Sequence, residues 1–185
     1  MTRPGTRTFV LATAVAFLVV FAVHFLDFPG SVPRFREASG GGVLLDASPA
    51  FSVDAIYKRL ADYGEEGRRS YSFRNVTVDV ILPLSMLPFL FLLMRSAVTS
   101  LRPRRSFRVL LLSVPLAYVL FDLIENAAVL ALLANYPRRM DLPAGSLPYV
   151  TLVKRVASLL AIVVPLAILA TRFLRGRLQK SLRPA

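Results

Sequence analysis

Apolar residues in this chain are gathered into blocks. Four runs, 9–28, 76–94, 109–134 and 147–171, are separated by connections that carry most of the charge. Each run is long enough to cross a hydrocarbon core that needs about 20 helical residues. None has the period-2 alternation of a barrel strand, and lipid offers no partner to open backbone groups, so each predicts a transmembrane helix. The expected fold is an all-α membrane protein: one membrane domain over 1–185, built as a four-transmembrane-helix bundle. The first run exceeds the apolar stretch of a signal peptide and no small-x-small site follows promptly, so it reads as a retained helix. A late cleavage site around Gly40, Gly41 and Gly42 is the alternative.

The connection 29–75 is the sizeable stretch outside the membrane. Pro29, Pro33 and the triple glycine 40–42 mark a flexible linker. Ser52 can then cap a helix over about 53–63, with Phe51 and Ile56 at the spacing of a hydrophobic staple. Val53, Ile56, Tyr57 and Leu60 share one face, Asp54, Lys58, Arg59 and Asp62 the other, and Gly64 supplies a stop. This predicts a short amphipathic helix in the first outer loop, packed as a lid rather than recruiting a partner. Glu65 and Glu66 suit a new helix start, expected to run unbroken into the second span. Along it Arg68, Tyr71, Ser72, Asn75 and Asp79 fall on one stripe descending into the bilayer.

The third run holds the densest polar feature. Tyr118, Asp122, Glu125 and Asn126 recur at offsets of three and four, and Glu125 lies 11 residues from Tyr136, which is about 16 Å into the helix. An acid at the centre of a span costs roughly 2.5 to 3.5 kcal/mol, so two on one helix must face inward and find partners. The fourth run offers Lys154 and Arg155, with Thr151 and Ser158 on the face of Lys154. His24 and Asp27 of the first run fall in the same half of the bundle. The expectation is an ion-paired polar pocket open outward, with four acids against two fixed cations. Pro83, Pro88, Pro115 and Pro165 predict kinks, and Ala157 with Ala161 a close-packing face.

Charge then orients the bundle. Both tails and the connection between the second and third runs hold Arg3, Arg7, Arg95, Arg102, Arg104, Arg105, Arg108, Arg172, Arg175, Arg177, Lys180 and Arg183, and no acid. The remaining cations balance the 11 acids, so the net +12 belongs to one side. By the positive-inside rule, N and C termini are cytoplasmic in a multi-pass cell-membrane protein. These arginines sit at helix ends with no groove-reading module, so anionic lipid headgroups rather than nucleic acid are the expected partners.

The 185 residues include no Cys and a single His, and lack a Gly-rich phosphate loop, so no metal and no cofactor is expected. The leading expectation is a pocket binding a lipid headgroup, small amphiphile or ion through Asp79, Asp122, Glu125, Asn126, Lys154, Tyr118, Arg68, Tyr71 and Asn75. An intramembrane enzyme with Asp122 or Glu125 as the catalytic acid or base, and a structural subunit of a larger membrane complex, are the alternatives. Transport would require an oligomer, since four helices are few and no inverted repeat is visible. The combination Tyr63-Gly64-Glu65-Glu66-Gly67-Arg68, Tyr71, Asp79, Pro83, Asp122-Leu123-Ile124-Glu125-Asn126 and Tyr136-Pro137 resembles a pattern in small uncharacterised bacterial four-helix integral membrane proteins. It covers roughly residues 55–137, and it implies that architecture without bringing an activity or a site residue.

Overall fold

The computed structural model describes residues 5–101 and 103–181, with side chains through 175. Arg3, Arg102 and Arg183 of the basic end, and the side chains of Arg177 and Lys180, lie outside the described residues. The described chain is helical: α1 Thr6–Phe25, α2 Val32–Ala38, α3 Val53–Asp62, α4 Gly64–Val76, α5 Val78–Leu101, α6 Arg105–Asn135 and α7 Asp141–Ser181. Four stretches, α1, α4 with α5, α6, and α7, are long and apolar enough to cross a membrane.

The last three spans outrun their apolar sequence. Intrahelical hydrogen bonds continue through polar residues, so an apolar run measures membrane thickness rather than helix length, and the 41 residues of α7 extend about 62 Å. The first span instead stops early, where Leu26 turns extended ahead of Pro29. Helices α5, α6 and α7 pack against one another, and α1 lies on α5. In the interior, Leu90, Tyr118 and Val119 meet Ala157 and Ala161, whose small side chains let α7 approach closely. Pro83 and Pro115 are buried inside continuous helices.

The connection between α1 and α5 is a folded cap, which corrects the expected linker. Ser31 caps α2, its Oγ accepting from the Arg34 N–H at 3.2 Å, and Pro33 lies in the first helical turn. There a fixed φ favours helix, so the residue expected to break structure starts it. Phe35 of α2, Leu45 of the following loop, Ile56 and Leu60 of α3, and Tyr71 of α4 form a core with Leu132 of α6 and Leu147 of α7. The Tyr71 hydroxyl accepts from the Leu45 N–H at 3.2 Å. Tyr63 donates to the Val43 carbonyl, and burial pushes its phenol above the usual range.

Helix α3 forms as expected, with the Ser52 Oγ accepting from the Ala55 N–H at 3.1 Å. Of the two residues at staple spacing, Ile56 goes to the core, while the exposed Phe51 packs edge-to-face with Tyr149, ring centroids 6.0 Å apart. The run from Glu65 into the second span is also interrupted. Thr77 leaves the helical region at φ −118°, ψ −80°, and its hydroxyl donates to the Phe73 carbonyl at 2.6 Å. Local hydroxyl-to-backbone bonding of this kind competes with the helical ladder.

Helix α4 lies on α2 through Gly67. A Cβ there would meet the Ser39 Cα and Cβ at 2.9 Å, and Ser39 is itself held by its hydroxyl to the Phe35 carbonyl at 2.7 Å. Gly67→Ala is therefore expected to destabilise the protein, overpacking costing about 1–3 kcal/mol against an intrinsic helix gain of about 1 kcal/mol. Thermal melting followed by circular dichroism in detergent checks this. An unchanged or raised midpoint would show that the α2–α4 gap is soft.

Candidate functional site

Polar side chains of every span meet just beneath the cap. Helix α6 presents Tyr118, Asp122, Glu125 and Asn126 along one face, as their spacing predicts. Helix α7 places Lys154 opposite. Its Nζ contacts the Glu125 carboxylate, lies 3.2 Å from Asp122 Oδ1 and 3.9 Å from Asp46 Oδ2. Glu125 is completely buried, and its other oxygen accepts from the Thr151 hydroxyl, which also reaches the Leu147 carbonyl. One ammonium thus holds three carboxylates, two from a single helix and one from the loop after α2.

A second ion pair sits beside the first. Arg74, only 3% exposed, meets Asp79 Oδ1 at 2.7 Å through Nη2 and donates to the Gly30 carbonyl at 2.8 Å through Nη1. Residues five apart point about 140° away from each other on an unbroken helix. The interruption at Thr77 is what lets Arg74, the last-turn residue of α4, face Asp79 in the first turn of α5. Asn126 links the two pairs, donating to the Asp79 carbonyl at 2.8 Å and to Asp122 Oδ2 at 3.2 Å.

Between these pairs lies a cavity of about 270 Å³. Asp79, Asp122, Asn126, Arg74 and Lys154 form its polar wall, and Leu82 with Tyr118 lie one turn farther toward the middle of the bundle. Exposed His24 of α1, Arg36 of α2 and Ala47 of the loop mark its mouth. The loop is fastened across it by Arg155, which donates to the Asp46 and Ala47 carbonyls at 2.6 and 2.9 Å. Two buried polar atoms here have no hydrogen-bond partner: Asp46 Oδ1 and Arg74 Nε.

Of the residues expected in the pocket, Asp79, Tyr118, Asp122, Asn126 and Lys154 line the cavity, and Glu125 stands behind Lys154. The α4 stripe goes elsewhere. Arg68 donates to the Leu60 carbonyl at 2.9 Å and stacks over the Tyr136 ring, Tyr71 belongs to the cap core, and Asn75 is buried away from the cavity wall. Arg155, expected among the pocket cations, is a loop clasp, and Asp27 is exposed. Arg74, Asp46 and Arg36 are the members that sequence reasoning missed. Only Arg74 left a signal, as a cation five residues before an acid inside a span. Compared with known protein families, curated proteins and solved structures, the chain matches none.

Proposed function

We propose that this is a multi-pass membrane protein whose cavity binds the polar head of a small amphiphile or lipid from the leaflet on the cap side. What carries this reading is the cavity between two ion pairs, where Asp79, Asp122, Asn126, Arg74 and Lys154 set a charged, polar wall around a space beneath the cap. The mouth at His24, Arg36 and Ala47 opens where the spans meet the cap, the level at which headgroups lie. With the exposed Arg104, Arg105, Arg172 and Arg175 and the half-buried Arg108 gathered at the other end, the positive-inside rule makes that end cytoplasmic and the cap external. Anionic lipids are the partners of that basic end.

In this reading Glu125 anchors Lys154 rather than transferring protons, since both its oxygens are taken and it does not touch the cavity. The test is native mass spectrometry of the wild type and an Asp79→Asn/Asp122→Asn variant released from mild detergent. The wild type is expected to carry one bound amphiphile per chain, and the variant to lose it while keeping its assembly. Identical spectra, whether both empty or both loaded, would overturn the reading.

A further inference from the structure

We infer that the cavity is entered sideways from the bilayer, through a gap between α1 and α7, and that the acyl chain of the bound lipid lies along Phe17 and Phe21 of α1. This rests on the cavity being a binding site and adds the class of ligand, a chain-bearing membrane lipid. The wall sets no sign for its head, since Asp46, Asp79 and Asp122 balance Arg36, Arg74 and Lys154. The first ground is where the cavity is closed. Above it, Leu44 and Leu45 are buried, Tyr71 holds the Leu45 N–H, and Arg155 and Arg59 fasten the carbonyls of Asp46, Ala47 and Ser48. The roof is thereby tied to α3, α4 and α7. At the side, α1 packs along α5 and touches α2, with no comparable contact on α6 or α7. The mouth lies in that interval: His24 comes from the last turn of α1, Arg36 from α2, and Ala47 from the loop that Arg155 clasps to α7.

The second ground is what lies below the mouth. Ala16 and Val23 are buried and mark the packed face of α1. Phe17, Phe21 and His24 recur at offsets of four and three, which sets them on one stripe roughly 110° round from that face. His24 is exposed at the mouth, and Phe21 and Phe17 sit about 4.5 and 10 Å deeper along the helix. Both rings are exposed and stack on each other, their centroids 6.3 Å apart. Any span shows apolar side chains to lipid; this stripe differs in ending on a residue that lines the cavity. The 270 Å³ of the cavity corresponds to about nine waters, which admits a head and leaves an acyl chain outside. A lipid of the cap-side leaflet points its chain toward the bilayer middle, the direction in which Phe21 and Phe17 descend from His24.

The experiment is photocrosslinking of the full chain in cell membranes, with the captured lipids identified by mass spectrometry. Phe21→p-benzoylphenylalanine is compared with Leu120→p-benzoylphenylalanine, whose probe stands on an exposed position of α6 outside the cavity lining. Each probe lies within one turn of a cavity-lining residue, His24 or Asp122, so the two report similar depths. Position 21 is expected to capture one lipid species about tenfold or more above its share of the membrane, and position 120 the bulk mixture. Adding Asp79→Asn/Asp122→Asn is expected to return position 21 to the bulk mixture, because the head loses its seat while the probe stays exposed. The bulk mixture at both positions, or no lipid at 21, would overturn the inference. Enrichment at 21 that survives the double variant would overturn it too, by showing that the stripe holds lipid without the cavity. Should the double variant fail to fold, the captured mass decides: the amphiphile that the wild type carries in native mass spectrometry supports the inference, and a different lipid overturns it. The two readings fail separately, since a bound molecule in native mass spectrometry together with bulk capture at 21 removes the chain groove and leaves the pocket standing.

Discussion

Lys154→Met is expected to cost about 3–5 kcal/mol of stability, the typical penalty for stranding a buried charge. The substitution keeps length and apolar stem and removes the ammonium. Among the described residues Glu125, with no exposed surface, would keep the Thr151 hydroxyl, Asp122 would keep Asn126, and Asp46 would lose its ion pair. No other side chain described here holds three acids, which is why this is the largest effect expected. Thermal unfolding in detergent, with size exclusion to follow assembly, measures it. Lys154→Met/Glu125→Gln should recover part of the loss, because a neutral amide can still accept from Thr151 without an opposing charge. A single variant as stable as the wild type would show that the carboxylates do not depend on Lys154 for their balance.

Arg74→Met is expected to follow closely, at about 3 kcal/mol or more. Asp79 would be left near the membrane level without its cation, and the Gly30 carbonyl without a donor. Gly30 has no freedom to compensate. It sits at φ 89°, and a Cβ there would meet Val78 Cγ2 at 2.7 Å, so the chain before α2 is seated directly on the start of α5. Arg74→Lys is expected to restore little, since an ammonium lacks the planar fork that serves a carbonyl and a carboxylate together. The same melting experiment distinguishes the cases: near-wild-type stability of the lysine variant would mean that charge alone holds this joint, and near-wild-type stability of the methionine variant would remove the joint from the account.

How much of this was legible depends on how local the cause is. The face Tyr118, Asp122, Glu125, Asn126 follows from helical period alone, and its need for a cation from the cost of acids at span depth; Lys154, on the next span, was the available answer. The Arg74–Asp79 pair was hidden because the stripe from Arg68 to Asp79 assumes one helix, and the interruption at Thr77 rotates its two halves. Phe35 burial was hidden because Pro33 and the glycines near it signal a turn as readily as a helix start.

Sequence by itself determined the four helices long and apolar enough to cross a membrane and the acids they carry into the bundle, because hydrocarbon admits only self-satisfied helices and tolerates charge only where it is paired. Tertiary structure alone decided that the connection is a packed cap, that Asp46 is carried over the cavity by Arg155, and that Arg74 turns to meet Asp79. Those contacts join residues far apart or across a break in the helix, where no period relates one position to the next; only the packing of the cap on α6 and α7 sets their distances.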